Sequence, residues 1–206
     1  MIDIYRNYRE LRSKEISSSF SIVSRSKSYD ILILVPHGGG IEPGTSELGH
    51  AIAGHQYSLY LFIGAKSSGN RTLHITSSNF DEPEALRAVD AHKRVVAIHG
   101  CGGQEPIVFV GGKDRELGNK IIKELNRSGI KALRPGKKSL QGLDKQNICN
   151  RDQLGAGVQL ELAEGLRSKM FRDLTKLGRE HRTKLFRLFV EAIRKVLNNQ
   201  LDQHGT

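Results

Sequence analysis

The chain has no tryptophan, only two cysteines and few aromatic residues of any kind (6%). No apolar run approaches the roughly 20 residues that a bilayer-spanning helix needs, and the first residues, Met1-Ile2-Asp3-Ile4-Tyr5-Arg6, lack the apolar core of a secretion signal. Each shortage excludes something. Two cysteines, Cys101 and Cys149, cannot supply a disulfide framework, so a packed core must carry stability and reduced thiols are the default, with a pairing between the two left open. Without tryptophan, a stacking platform for nucleic-acid bases is poorly supplied. Membrane insertion and classical secretion are not encoded, and the expectation is a soluble protein made in the cytoplasm. Acidic residues are also in deficit. Against 32 lysines and arginines stand 22 carboxylates, giving a formal charge of +10, which draws the chain to polyanions without naming one.

What is present reads as one domain over residues 1–206, long enough for a substantial core. Strands are expected over 30–35, 57–63, 72–76, 95–98, 107–110, near 131–133 and over 158–162. Helices are expected over 45–53, 83–91 and 114–126, with a long terminal one over 182–201 whose apolar stripe is Leu185, Leu188, Phe189, Ile193 and Leu197. Pro83 suits a first helical turn. Residues 3–27, polar and Ser-rich, read as a short outer helix and a loop. Strands interleaved with helices predict an α/β fold, an open mixed β-sheet with helices on both faces.

Two of the β-branched runs end in histidine followed at once by glycine. The first is Ile31-Leu32-Ile33-Leu34-Val35-Pro36-His37-Gly38-Gly39-Gly40, with Glu42 five positions past the histidine; the second is Val95-Val96-Ala97-Ile98-His99-Gly100. Ligands of open α/β sheets collect beyond the carboxyl ends of strands. Two imidazoles and a carboxylate at that rim are the donor set of a catalytic zinc that keeps one position for water. The triglycine between His37 and Glu42 lets the chain bend so that both side chains face one point. A lone strand-end histidine is more often structural; the pair with a nearby glutamate is what favours one zinc ion. Glu47 and His50 form a competing pair three residues apart on a helix, better read as packing or capping.

In Val158-Gln159-Leu160-Glu161-Leu162 the period-two alternation sets Gln159 and Glu161 opposite three apolar residues. Buried, Glu161 is a candidate general base; on an edge strand it would simply face solvent, and the spacing leaves both open. Asn150-Arg151 precedes that strand, and an arginine there can grip a carboxylate through paired N–H donors.

Together, Pro36-His37-Gly38-Gly39-Gly40-Ile41-Glu42, Ile98-His99-Gly100 and Cys149-Asn150-Arg151 through Leu160-Glu161-Leu162 resemble the phage-type poly-γ-glutamate hydrolases, and the likeness covers most of the chain. The resemblance implies a zinc-carboxypeptidase-like fold, zinc on His37, Glu42 and His99, Glu161 as the base that activates the metal's water, and Asn150 with Arg151 on a substrate carboxylate, Arg151 also steadying the oxyanion. Zinc carboxypeptidases place two residues between their first His and Glu. Four intervene here, which turns the reading from peptidase to γ-linked glutamate. The family is phage-associated or bacterial, so release by host lysis fits the missing signal. The expected partner is an anionic polymer, with nucleic acid and membrane disfavoured and a monomer favoured. Rival readings are an amidohydrolase of small N-acyl-glutamate or cell-wall γ-glutamyl substrates and, from another class, a non-enzymatic polyanion-binding module. A serine esterase, suggested by His37-Gly38-Gly39-Gly40, is disfavoured by the lack of a Gly-x-Ser-x-Gly elbow.

Overall fold

The computed structural model describes residues 3–27 and 30–201. Seven strands occur in chain order as β1 (Phe20–Arg25), β2 (Ile31–Gly39), β3 (Ser58–Gly64), β4 (Arg94–Cys101), β5 (Val108–Gly112), β6 (Ala132–Leu133) and β7 (Val158–Ala163). Across the sheet their order is β1-β3-β2-β4-β7-β5-β6. The middle four, β3, β2, β4 and β7, run parallel, while β1 and β5 join antiparallel to β3 and β7. The sheet is therefore mixed. The unbroken apolar character of β2 follows from its central place, with both faces covered.

The helices are α1 (Tyr8–Lys14), α2 (Thr45–Ala53), α3 (Pro83–Asp90), α4 (Arg115–Arg127), α5 (Glu164–Met170) and α6 (Lys184–Leu201). Alternation along each strand sorts the core into two layers. Ile31, Ile33, Val35, Val96, Ile98, Leu160 and Leu162 meet Leu48 and Ile52 of α2, Leu117, Ile121 and Leu125 of α4, Leu166 of α5 and Phe189 and Ile193 of α6. Leu32, Leu34, Val95 and Ala97 face the other way, onto Leu11 of α1, Ala85 and Val89 of α3, and Phe80, Leu73, Ile75 and Ile148. Helix starts follow the usual capping chemistry. The Asp114 side chain accepts from Leu117 N, and Glu82, just before Pro83, accepts from Ala85 N. Truncating a fully buried side chain such as Leu34 to alanine would cost about 2–5 kcal/mol.

Two expectations need correction. The segment expected to be helix and loop also contains β1, an edge strand whose alternation of Phe20, Ile22 and serines is hidden by the preceding serine run. Residues 72–76 form no strand among the described residues. A 3-10 turn at Asn70–Leu73 takes their place, because Asn70 clasps the Lys66 backbone from both sides and the Thr72 hydroxyl donates to Gly69 O; these local bonds compete with a sheet ladder. In α6 the expected stripe faces the core, Phe189, Ile193 and Leu197 buried with Leu185 and Leu188 packed at their margin, and Phe186 and Val190 join it. A further short helix, α5, begins where β7 ends.

Candidate metal centre

The parallel block ends its strands at one rim, and there the two His-Gly junctions come together. A register shift between Val35 and Gly38 bulges the end of β2, and the chain turns sharply through Gly39, at φ +65°, where a side chain would collide with Gly64 of β3. The turn closes with Ile41 N donating to Gly38 O and Glu42 N donating to His37 O. Glu42 is thereby folded back over the histidine that precedes it.

His37, Glu42 and His99 each offer a ligand atom within 4.8 Å of the others. His37 Nδ1 lies 3.1 Å from His99 Nδ1 and 3.4 Å from Glu42 Oε1. Glu42 Oε2 accepts from Gly100 N at 2.8 Å and sits 3.9 Å from His99 Nδ1. On its far side, His37 Nε2 donates to Ile75 O at 2.8 Å, which fixes the tautomer and points the Nδ1 lone pair into the cluster. Two ring nitrogens facing each other at 3.1 Å need a proton or a cation to reconcile them. Without metal it is a proton. Burial opposes charge on His37, but the Glu42 carboxylate outweighs it and leaves the imidazole above its usual value. Burial likewise opposes charge on Glu42, yet His37 beside it holds the carboxyl down at about 2. His99, driven down by burial and by the neighbouring imidazoles of His37 and His74 against the pull of Glu42, falls to about 3. Its Nε2 is buried with no hydrogen-bond partner among the described residues. One anionic and two imidazole donors converging out of water fit a divalent cation.

A third histidine joins the cluster unannounced. His74 stacks on His37 at 4.1 Å between ring centroids; its Nδ1 is 2.7 Å from Asp3 Oδ1 and its Nε2 is 3.9 Å from Glu42 Oε1. Asp3 also accepts from Thr76 N at 2.6 Å, so one carboxylate near the N-terminus pins the segment that supplies both His74 and the Ile75 carbonyl. Nothing local in the sequence marks this, since the partners lie about 70 positions apart.

Glu161 lies beside His99 in the parallel β4–β7 register and is 7% exposed, so the edge-strand reading does not hold. Burial, with the Glu42 charge adding to it, pushes its carboxyl well above the ordinary range, while Arg167 and Gln159 pull the other way. Glu161 and the three donors line a cleft of about 500 Å³ with His74, Gly100, Cys101, Lys137, Lys138, Ser139, Asp144, Asn147 and Gln159. A second cleft meets the first at Glu42, His74 and Gly100–Gly102 and is walled by Arg71, Glu164 and Arg167. Arg167 braces this rim: its guanidinium donates to Leu162 O, Pro43 O and Cys101 O, crossing above Gly100, where any side chain would obstruct it.

Asn150 and Arg151 do not line either cleft. Asn150 is buried, with Nδ2 donating to Gly142 O and Asp144 O and Oδ1 accepting from Lys113 N and Gly157 N. Its amide is committed to fastening the loop that carries Lys137 and Lys138, which corrects the expectation that it meets substrate. Arg151 is exposed. Glu47 of the competing pair is bound by Arg179 at 2.7 Å and His50 is exposed. Cys101 and Cys149 are free thiols, and burial raises Cys101 to about 11.

Comparison with known proteins follows the same lines. A family model described as poly-gamma-glutamate hydrolase matches residues 5–192. YoqZ, a protein of Bacillus subtilis derived from the SPbeta prophage, is 38% identical over 201 residues, spanning 97% of this chain and 73% of its own. YmaC of the same organism is 39% identical over 201 residues, spanning 96% and 85%. A solved bacteriophage poly-gamma-glutamate hydrolase superposes with a TM-score of 0.94 at 34% identity, covering 98% of this chain and 100% of that one. The zinc-free form of YndL gives 0.93 at 35%, covering 97% and 99%. A metallo-carboxypeptidase from Burkholderia cenocepacia, at 13% identity and a TM-score of 0.50, covers 89% of this chain and 61% of that one and shares the fold.

Proposed function

The chain belongs to the poly-γ-glutamate hydrolase family, and we propose that it cuts the γ-glutamyl amide bonds of poly-γ-glutamate as a zinc enzyme with Glu161 as general base. The observation that carries this reading is the convergence of His37, Glu42 and His99 beside a buried carboxylate on one cleft wall. The zinc-free form of the relative YndL supports the choice of ion.

His37, Glu42 and His99 would hold one zinc, which supplies Lewis-acid polarisation of the scissile carbonyl and lowers the pKa of a water molecule. Glu161 takes the proton of the attacking water as the new C–O bond forms. It returns that proton to the γ-amide nitrogen as the C–N bond breaks, and the water's second proton passes to the freed amine, so the products are a carboxylate and an ammonium group. Burial that raises its pKa makes the ionised form a stronger proton acceptor, and a cation held by the three donors would favour that ionised form. Lys137 and Lys138 on one side and Arg71 on the other are exposed cations at the cleft walls. They take the role of meeting free α-carboxylates that the sequence had suggested for Asn150 and Arg151. The cleft walls also carry Glu42, Asp144, Glu161 and Glu164, so the +10 charge acts as a general field rather than as a uniformly basic groove.

The test is chelation. Protein stripped of metal should leave long poly-γ-glutamate uncut and regain cleavage on addition of one equivalent of zinc. Undiminished cleavage by the stripped protein would overturn the zinc reading. Cleavage of small N-acyl-glutamates in preference to the polymer would move the substrate assignment to those amides.

A further inference from the structure

Gln159 shares the polar face of β7 with Glu161 and is itself buried, at 3% exposure. An amide at such a place has two ends of opposite character, and which end meets the carboxylate matters. Its Nε2 donates to Glu161 Oε1 at 2.9 Å, and its Oε1 accepts from Asn147 Nδ2 at 2.8 Å. Asn147 is in turn oriented by the backbone: its Oδ1 accepts from Cys149 N at 3.1 Å. A backbone N–H can only donate. Asn147 must therefore face it with oxygen and turn its NH₂ toward Gln159, which leaves Gln159 only its own NH₂ to offer Glu161. The direction of every bond in this chain is set by one peptide N–H two side chains away from the carboxylate.

The relay is walled in. Gly142, at φ +59°, approaches so closely that a side chain there would strike the Gln159 amide. Asn150 holds Gly142 and Asp144 by their carbonyls. Glu161 Oε2 has no hydrogen bond among the described residues, so one oxygen is tethered and the other is left to the cleft. We propose that Asn147 and Gln159 are positioning residues that fix both the rotamer of Glu161 and the polarity of the hydrogen bond it receives, keeping its free oxygen turned to substrate water. This rests on Glu161 being the base.

The experiment measures kcat, KM and the pH profile on poly-γ-glutamate for Gln159→Leu, Asn147→Ser and Glu161→Gln, with zinc content and melting temperature alongside. Leucine fills the glutamine's volume and donates nothing. Serine keeps an acceptor for Cys149 N but is too short to reach Gln159, and neither change adds charge. For Gln159→Leu, kcat should fall by about tenfold or more with KM and zinc content unchanged. The acidic limb of the profile should also move to higher pH, since the ionised carboxylate loses its donor. Asn147→Ser should show the same two changes in smaller measure, and it decides the matter alone if Gln159→Leu does not fold. A loss of activity that tracks loss of folded protein, with the acidic limb unmoved, would overturn the positioning role. Wild-type kcat in either folded variant beside an inactive Glu161→Gln would overturn it while leaving the base in place. An active Glu161→Gln would remove the base reading, and this inference with it.

Discussion

The two sides of the cleft are built by different means. On the candidate ligand side, His37 and Glu42 are fixed by backbone groups: Ile75 O accepts from His37, Gly100 N donates to Glu42, and the Glu42 N to His37 O turn closes the bulged end of β2. On the candidate base side, Glu161 is held by the side-chain amide of Gln159 on its own strand, which is oriented in turn by Asn147 from a loop over ten positions away, with Asn150 clamping that loop from behind. Backbone-fixed ligands tolerate little movement and suit an ion with short, fixed bond lengths. An amide-held carboxylate can be tuned by substitution without dismantling the rim. Changes on one side should therefore register as metal loss and on the other as lost turnover.

The largest effect that would sharpen this division is Glu161→Gln, which should lower kcat by about a thousandfold while zinc content stays at wild-type level. Steady-state kinetics with metal analysis checks it, and simultaneous loss of zinc would erase the division. Next comes Arg167→Ala. Stripping a charged donor from three carbonyls should destabilise the fold by roughly 3 kcal/mol, read as a lowered midpoint in urea. Asp3→Ala belongs to the ligand side although it lies far off in sequence. Freeing the segment that carries His74 and Ile75 should weaken zinc affinity by about tenfold, measured by competition with a chelator, with little change in kcat at saturating zinc. The smallest effect is expected for Lys137→Gln and Lys138→Gln. These exposed cations should each contribute only about 0.2–1 kcal/mol, a rise in polymer KM of roughly 1.4- to fivefold that high salt abolishes. A salt-insensitive KM would remove them from substrate recognition.

The same contrast explains what could be read from the chain. The convergence of His37, Glu42 and His99 into a candidate cluster is legible because its signals are local: β-branched runs cut off by His-Gly, and a triglycine that brings Glu42 round. Glu161 was visible as a carboxylate in alternation, but whether it was buried depended on β7 lying between β4 and β5, which no local pattern encodes. Asn150 drew notice for the right segment and the wrong chemistry. Its amide serves four backbone groups that only the folded loop brings near. His74 was hidden inside a stretch that resembles a strand, and its partner Asp3 stood in a segment read as peripheral. Long-range polar contacts of this kind leave no periodicity to read.

The most direct measurement is zinc titration of the metal-free protein by calorimetry, repeated for His37→Ala and His99→Ala and over a range of pH. The account predicts one ion per chain, lost in both variants. Because His37 carries the raised pKa of the metal-free cluster, uptake should release its proton and affinity should weaken as pH falls and the imidazole holds that proton more firmly. Full zinc occupancy in either histidine variant, or an affinity indifferent to pH through this range, would contradict the assignment of the cluster as the metal site.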